Sequence, residues 1–324
     1  SRLIKLNKFP SNIRRFHTFD YTMVESGVSA MEYAIKEIIA SSILSKSGLP
    51  DADWVINPYI GCRFGCKYCY AAFVGRFRHP NEPWGSYVDV KMNAPELLRR
   101  ELTQKLKGKK KRDIGTIFLS SVTDPYQGLE TKYKITRQCL QVLVDMKYEG
   151  KVGILTKSHG VLRDIDLLKK LPNVEVGLTV TSTGDPISKY LETYASPHEL
   201  RLATLRKLHD AGIATYAFVG PLLPHFVFQK RHLAILLKKL KETGVGYIYL
   251  EHINLSPPIR ARLFADVSKD YPQLIAQFEK AQSQKYRDIL DRFLLAETAK
   301  LDLKVAHAKP IYHLDKSSWA RLKI

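Results

Sequence analysis

From about residue 54 to residue 255, short apolar runs alternate with longer stretches in which apolar side chains recur every three to four positions. The short runs read as strands: WVINPYIG at 54–61, TIFLSS at 116–121, KVGILTK at 151–157, VEVGLTVTS at 174–182, IATYAFVG at 213–220 and GYIYLEHINL at 246–255. Between them, the helical period predicts helices at about 94–107, 131–147, 162–170, 197–211 and 229–243. The helix after Ser196 carries its own punctuation, with Pro197 at its first position, Glu199 in its first turn and Gly212 past its end. Six strands with a helix between each and the next predict a parallel sheet, and the fold class is α/β, a partial (βα)6 barrel of the TIM type, open on one side. The expected division is an N-terminal extension over 1–50, the barrel over 51–258, and a C-terminal extension over 259–324 with helical pattern at 272–300 and a tail.

Composition narrows the class without naming a partner. With 45% hydrophobic and 26% charged residues, the chain has ordinary globular composition, which excludes a disordered or collagen-like protein. No run of about 18 apolar residues exists to cross a membrane, and the basic N-terminus SRLIKLNKFPSNIRRF lacks the apolar core of a secretory signal. The 51 Lys and Arg against 32 Asp and Glu give a formal charge of +19. Such a charge favours polyanions but is equally met in proteins that are merely soluble. The stretch RRELTQKLKGKKKR, Arg99 to Arg112, concentrates eight basic residues and one acid, and is the best candidate for a phosphate contact.

The cysteines decide more than the charge. Cys62, Cys66 and Cys69 fall within NPYIGCRFGCKYCYA in the spacing CxxxCxxC, while Cys139 stands alone in the helical pattern ITRQCLQVLVDM. Three thiols on one short loop suit a metal or cluster better than pairwise bridging. Structural zinc usually takes two separated pairs, so three cysteines leave one coordination position open for chemistry.

This motif, with the aromatic Tyr68 before the last cysteine, resembles the signature of the radical S-adenosylmethionine (SAM) superfamily. SSVTDPYQGLE at 120–130, LTKSHGVLRDIDLLKKL at 155–171, and the ASPHELRLATLRKLHDAGI and GPLLP stretches at 195–224 follow the order seen in spore photoproduct lyase and its relatives, often labelled DNA repair photolyases. The resemblance spans roughly residues 40–255. It implies that the three cysteines hold a four-iron four-sulfur (4Fe–4S) cluster, with SAM chelating the fourth iron. It also implies that an electron from a partner such as flavodoxin or ferredoxin splits SAM to a 5′-deoxyadenosyl radical, and that this radical takes hydrogen from substrate. Tyr68 would pack near the adenine, and Lys157 would take the role of a SAM-contacting lysine.

Active sites of parallel barrels gather at strand C-terminal ends, and the polar residues there complete the candidate site. Ser120, Ser121, Thr123 and Asp124 follow the second strand, where a carboxylate among hydroxyls suits the SAM amino group or ribose. Thr179 opens a polar face on a strand that should be buried, and buried polar groups need partners. Glu251 and Asn254 extend this set on the sixth strand, whereas His252 reads as a satisfied core histidine. Tyr126, beside Asp124, is kept as a catalytic candidate.

The resemblance stops at the substrate. Spore photoproduct lyase uses an additional cysteine as hydrogen donor, and the spare thiol here, Cys139, has the apolar surroundings of a structural one. Dimer reversal is therefore not carried over. A nucleic acid lesion or nucleotide is the first expectation, a peptide or small metabolite the second, and a metal-stabilised nucleic-acid-binding protein without catalysis the third. An exposed cluster implies a reducing, cytoplasmic setting.

Overall fold

The six apolar runs supply six parallel strands, in chain order, side by side, but the first run splits: Trp54–Ile56 joins this sheet, whereas Tyr59–Ile60 pairs antiparallel in a second, smaller one. A computed structural model of the chain describes residues 33–108 and 114–312. Among these, the strands are β1 (Ala34–Ile38), β2 (Leu44–Lys46), β3 (Trp54–Ile56), β4 (Tyr59–Ile60), β5 (Tyr87–Lys91), β6 (Ile117–Leu119), β7 (Val152–Thr156), β8 (Val174–Thr179), β9 (Ala214–Leu222) and β10 (Tyr247–His252). The main sheet has the order β10-β9-β8-β7-β6-β3-β2, parallel throughout except for β2, which runs antiparallel at the edge. Consecutive strands lying next to one another, each returned by a crossover, make the partial (βα)6 barrel of the TIM type.

The crossovers are helical at the five places where the apolar period put helices, and in chain order they hold α1 (Ala94–Leu106), α2 (Glu130–Tyr133), α3 (Ile135–Asp145), α4 (Ile165–Leu168), α5 (Pro186–Leu191), α6 (His198–Asp210), α7 (Pro224–Val227) and α8 (Lys230–Glu242). The stretch 131–147 is broken at Lys134, and the short α5 and α7 are additions that the period did not mark. On α8 the reason is plain. Leu233, Leu236, Leu237 and Leu240 recur at the helical spacing and are buried, while Lys230, Lys238 and Lys241 face water. On α6, Pro197 is the cap rather than the first helical residue, and Gly212 follows the helix with a left-handed backbone.

Two regions outside the repeats have definite structure. Residues 34–46 supply β1 and β2, and β1 joins β5 and β4 in a second, three-stranded sheet. After β10 come α9 (Pro257–Asp270), α10 (Leu274–Lys280) and α11 (Gln284–Lys300). The apolar pattern at 272–300 resolves into α10 and α11, and α9 precedes it. Lys109 to Arg112, the dense end of the basic run, lie outside the described residues. No helix among the described residues is long and apolar enough to cross a membrane.

Candidate active site

The cysteine loop leaves β4 and ends in a 3-10 helix at Tyr70–Gly75. Tight turns fold it back on itself: the Gly65 amide donates to the Cys62 carbonyl at 3.2 Å, and the Cys69 amide to the Cys66 carbonyl at 3.0 Å. Gly61, at the entrance, has φ +89°, and a Cβ there would lie 2.4 Å from the Tyr87 carbonyl oxygen. Both the backbone and the space demand glycine. Gly61→Ala is expected to cost about 3 kcal/mol, from the left-handed backbone and overpacking combined. The urea midpoint measures it, and an unchanged midpoint would contradict both the backbone strain and the overpacking.

All four cysteines are free. Cys62 and Cys66 are buried and Cys69 is half-buried. Burial holds all three loop thiols above the ordinary thiol range, Cys66 up to about 12. Lys157 opposes this at Cys66 and Cys69 by favouring their anions. The lysine is itself held above its usual value: burial works against its charge, but Cys66, Glu192 and Cys69 outweigh burial. Cys139, by contrast, is fully buried on α3 among Ile135, Leu140 and Leu143, a structural thiol.

Each residue expected around the loop has a definite place. Asp124, buried, accepts from Thr156 Oγ1 at 2.6 Å and from the Tyr126 amide at 2.9 Å through one oxygen, and from the Lys157 amide at 2.8 Å through the other. It ties the end of β6 to the end of β7, which aims Lys157. Burial raises the Asp124 carboxyl, and the three donors restrain the rise. Thr123 Oγ1 donates to the Gly61 carbonyl at 2.5 Å, so this hydroxyl holds the entrance of the cysteine loop. Ser120 has φ +68°, a left-handed backbone for a non-glycine residue, and its buried hydroxyl has no partner among the described residues. Ser121 gives its amide to Asn57 Oδ1 at 3.0 Å, and its carbonyl accepts from the Tyr70 hydroxyl.

Tyr68 is buried, and its hydroxyl donates to Glu192. The Lys157 ammonium stands 5.7 Å from the centre of its ring. Thr179 ends β8 and its carbonyl accepts from Arg201 at 3.1 Å. Glu251, on β10, abuts Gly220 of β9, and together with Cys69 its charge adds to the burial that raises the Tyr70 hydroxyl. Tyr126 is tied to Asp124 through its amide, and its ring has Arg163 5.8 Å from its centre with Asp164 and Glu130 nearby. His252 is a satisfied core histidine, paired with Asp291 at 2.7 Å and stacked on Tyr312. Asn254 Oδ1 accepts from the Ser256 amide at 3.0 Å, a local turn before α9.

Several site residues sit on helices or inside loops, away from the strand ends that the βα repeat singles out. Glu192, just past α5, pairs with Arg201 at 2.6 Å and His198 at 3.2 Å, all three buried behind Tyr68. Burial works against the Glu192 charge, yet Arg201, His198 and Lys157 hold its carboxyl well below the usual range. Gln127 accepts from the Arg63 amide at 2.9 Å. From α9, the Arg262 guanidinium donates to the Cys69 carbonyl, and Asp266 pairs with Lys67 at 3.2 Å. The region after the barrel thus grips the cysteine loop directly.

The donor set fits a thiolate-bound iron–sulfur cluster with an exchangeable iron. Three soft sulfurs share one loop, shielded from water, with a cation beside two of them and an unpartnered buried hydroxyl at the end of β6. Among the described residues no three Cys, His, Asp or Glu side chains stand in a ready-made metal cage; the loop presents its sulfurs as free thiols.

Residues 56–237, more than half the chain, match the model of the Radical SAM superfamily. The chain belongs to the radical SAM superfamily. An uncharacterised protein of Methanocaldococcus jannaschii is 34% identical over 239 residues, 74% of this chain and 84% of its own. A radical SAM Nalpha-GlyT isomerase of Pseudomonas phage M6 is 24% identical over 205 residues, 61% of this chain and 38% of its own. Spore photoproduct lyase complexed with a dinucleoside spore photoproduct shares the fold at a TM-score of 0.63 and 15% identity, over 84% of this chain and 81% of that one. This radical SAM enzyme therefore carries the cysteine motif within the fold that the motif leads one to expect.

Proposed function

We propose that the chain is a SAM-cleaving enzyme whose substrate is a nucleic acid or a nucleotide. Cys62, Cys66 and Cys69 hold a 4Fe–4S cluster, and SAM is bound beside it by Tyr68, Lys157 and the strand-end groups Ser120, Ser121, Asp124, Thr179 and Glu251, while Thr123 holds the entrance of the cysteine loop. When bound, cluster and SAM supply a 5′-deoxyadenosyl radical able to take hydrogen from an unactivated carbon. The chain's own residues orient and shield. Lys157, half-buried and charged, suits a carboxylate, Asp124 fixes its backbone, and Tyr68 offers a flat face whose angle is set by Glu192. Ser120 keeps a buried donor in reserve for a ligand oxygen.

The observation that carries the reading is the loop of three shielded free thiols beside Lys157, on a chain of the radical SAM superfamily. The formal charge of +19 supports an anionic polymer or nucleotide as substrate, and so does the fold shared with a lyase crystallised with a dinucleoside. An electron donor such as flavodoxin or ferredoxin and a reducing, cytoplasmic compartment complete the proposal. The test is anaerobic reconstitution followed by reduction with SAM present. The expected product is 5′-deoxyadenosine; a fully loaded cluster that yields none overturns the reading. Turnover that is stimulated by oligonucleotides and falls with salt supports the substrate class, whereas turnover indifferent to salt moves it to a peptide or small metabolite.

A further inference from the structure

The segment that leaves the cysteine loop has an unusual surface. From Cys62 to Asn81 the chain has four Lys or Arg residues, Arg63, Lys67, Arg76 and Arg78, and no Asp or Glu. Just past the 3-10 helix, Phe77 is 82% exposed, the most exposed of the large apolar residues described. The Arg76 guanidinium lies 4.6 Å from the centre of the Phe77 ring and 5.9 Å from that of Phe73, and among the described residues no carboxylate pairs with it. An exposed phenylalanine alone would be unremarked surface. This one is braced. On the next residue, Arg78 Nε donates to Asp89 at 2.6 Å, and Asp89 is fully buried on β5. His79, also buried, bonds Asp89 at 3.0 Å through one ring nitrogen and Glu82 at 3.2 Å through the other, and stacks on Tyr87 with centroids 4.0 Å apart. Tyr87 in turn abuts Gly61 and Gly75, at the entrance of the cysteine loop and the end of its helix. A brace anchored on the buried Asp89 thus fixes an apolar ring and a cation outward, next to the site where the radical would form.

We propose that Arg76 and Phe77 form a docking edge for the nucleic acid strand that carries the substrate nucleotide. Phe77 stacks on a base and Arg76 meets the adjoining phosphate. An aromatic face flanked by a guanidinium is the chemistry that holds a single strand without reading its sequence. An acidic electron-donor protein would meet the same charge, and the rate of reduction by flavodoxin separates it from a nucleic acid strand. The proposal rests on the reading of the substrate as nucleic acid, and its test is separable from SAM cleavage.

Fluorescence anisotropy of the full-length protein with a labelled mixed-sequence single-stranded DNA 20-mer and its RNA counterpart, over a salt series, compares wild type with Phe77→Ala and Arg76→Gln. Phe77→Ala is expected to weaken binding about tenfold while leaving the salt slope unchanged. Arg76→Gln is expected to reduce the slope of log affinity against log salt by about 0.7, one phosphate on a single strand. Both variants keep the wild-type melting temperature and form 5′-deoxyadenosine with SAM as the wild type does, because neither residue touches the cofactor site. Wild-type affinity in Phe77→Ala, or no binding of either oligonucleotide by the wild type at low salt, overturns the edge and leaves SAM cleavage standing. Unchanged oligonucleotide affinity with slower reduction by flavodoxin in Phe77→Ala also overturns it, and assigns the patch to the electron donor. Phe77-dependent binding by a protein that cleaves no SAM sustains the edge and removes the proposed reaction instead.

Discussion

Replacing any one of Cys62, Cys66 or Cys69 by Ala is expected to strip the reconstituted protein of most of its iron and sulfide and to cut 5′-deoxyadenosine formation to background. The loss should be at least about a hundredfold, since losing a mere outer-sphere partner of a metal ligand already costs about 10–100-fold. The three positions should behave alike, because the loop offers three sulfurs for three irons and has none to spare. Cys139→Ala is the control. Its thiol is fully buried on α3, away from the loop, so the variant should keep its iron and its activity and show only a modest loss of stability from the small cavity. Iron, sulfide and 5′-deoxyadenosine retained by the triple Cys62/Cys66/Cys69 variant would sink the cluster assignment; loss in Cys139→Ala without unfolding would mean that the wrong thiols had been grouped.

Legibility along the sequence followed the range of the forces involved. The six strands were readable because burial on both faces of a parallel sheet leaves continuous apolar runs, as in VEVGLTVTS, and the intervening helices because one stripe must face that sheet, as on α8. The cysteine motif was readable because its chemistry lies within eight consecutive residues. Residues at the strand ends could be nominated by position, but their partners could not. Thr123 reads as a ligand-facing hydroxyl until the structure shows it bonded to the Gly61 carbonyl. Glu192 and Arg201 look like the polar face of surface helices, and only tertiary packing turns them inward behind Tyr68. Arg262 lies nearly two hundred residues from the carbonyl of Cys69 that it meets, in a region with no periodic link to the barrel. Sequence spacing carries no signal for contacts of that kind.

Glu192 is where this hidden layer should show its largest effect. Its carboxylate is buried with Arg201 and His198, and it also accepts from Thr181 Oγ1 at 3.1 Å and from the Tyr68 hydroxyl. Glu192→Gln keeps an acceptor for Tyr68 but strands the Arg201 charge in a site that is 1% exposed. Breaking a buried pair from one side costs about 3–5 kcal/mol, so the variant should lose about that much in a urea titration at neutral pH. The double variant Glu192→Leu with Arg201→Met should recover most of the loss, since neither charge is then left alone. The pH dependence has a fixed sign. Because the folded carboxyl lies well below the ordinary 4.5, the wild type holds this stability above about pH 4.5 and loses it as the pH falls from there toward the folded value. Glu192→Gln should lack that part of the acid limb, and equal slopes for the two proteins below pH 4.5 would contradict the pairing. Activity separates the two jobs of the carboxylate. Glu192→Gln, once folded, retains the bond that orients Tyr68 and should bind SAM nearly as the wild type does, whereas the Leu/Met double variant, though more stable, leaves the Tyr68 hydroxyl without its acceptor and should bind SAM more weakly. Stability and cofactor affinity moving in opposite directions across these variants is the signature of a residue that positions the site, and a purely structural ion pair would move them together.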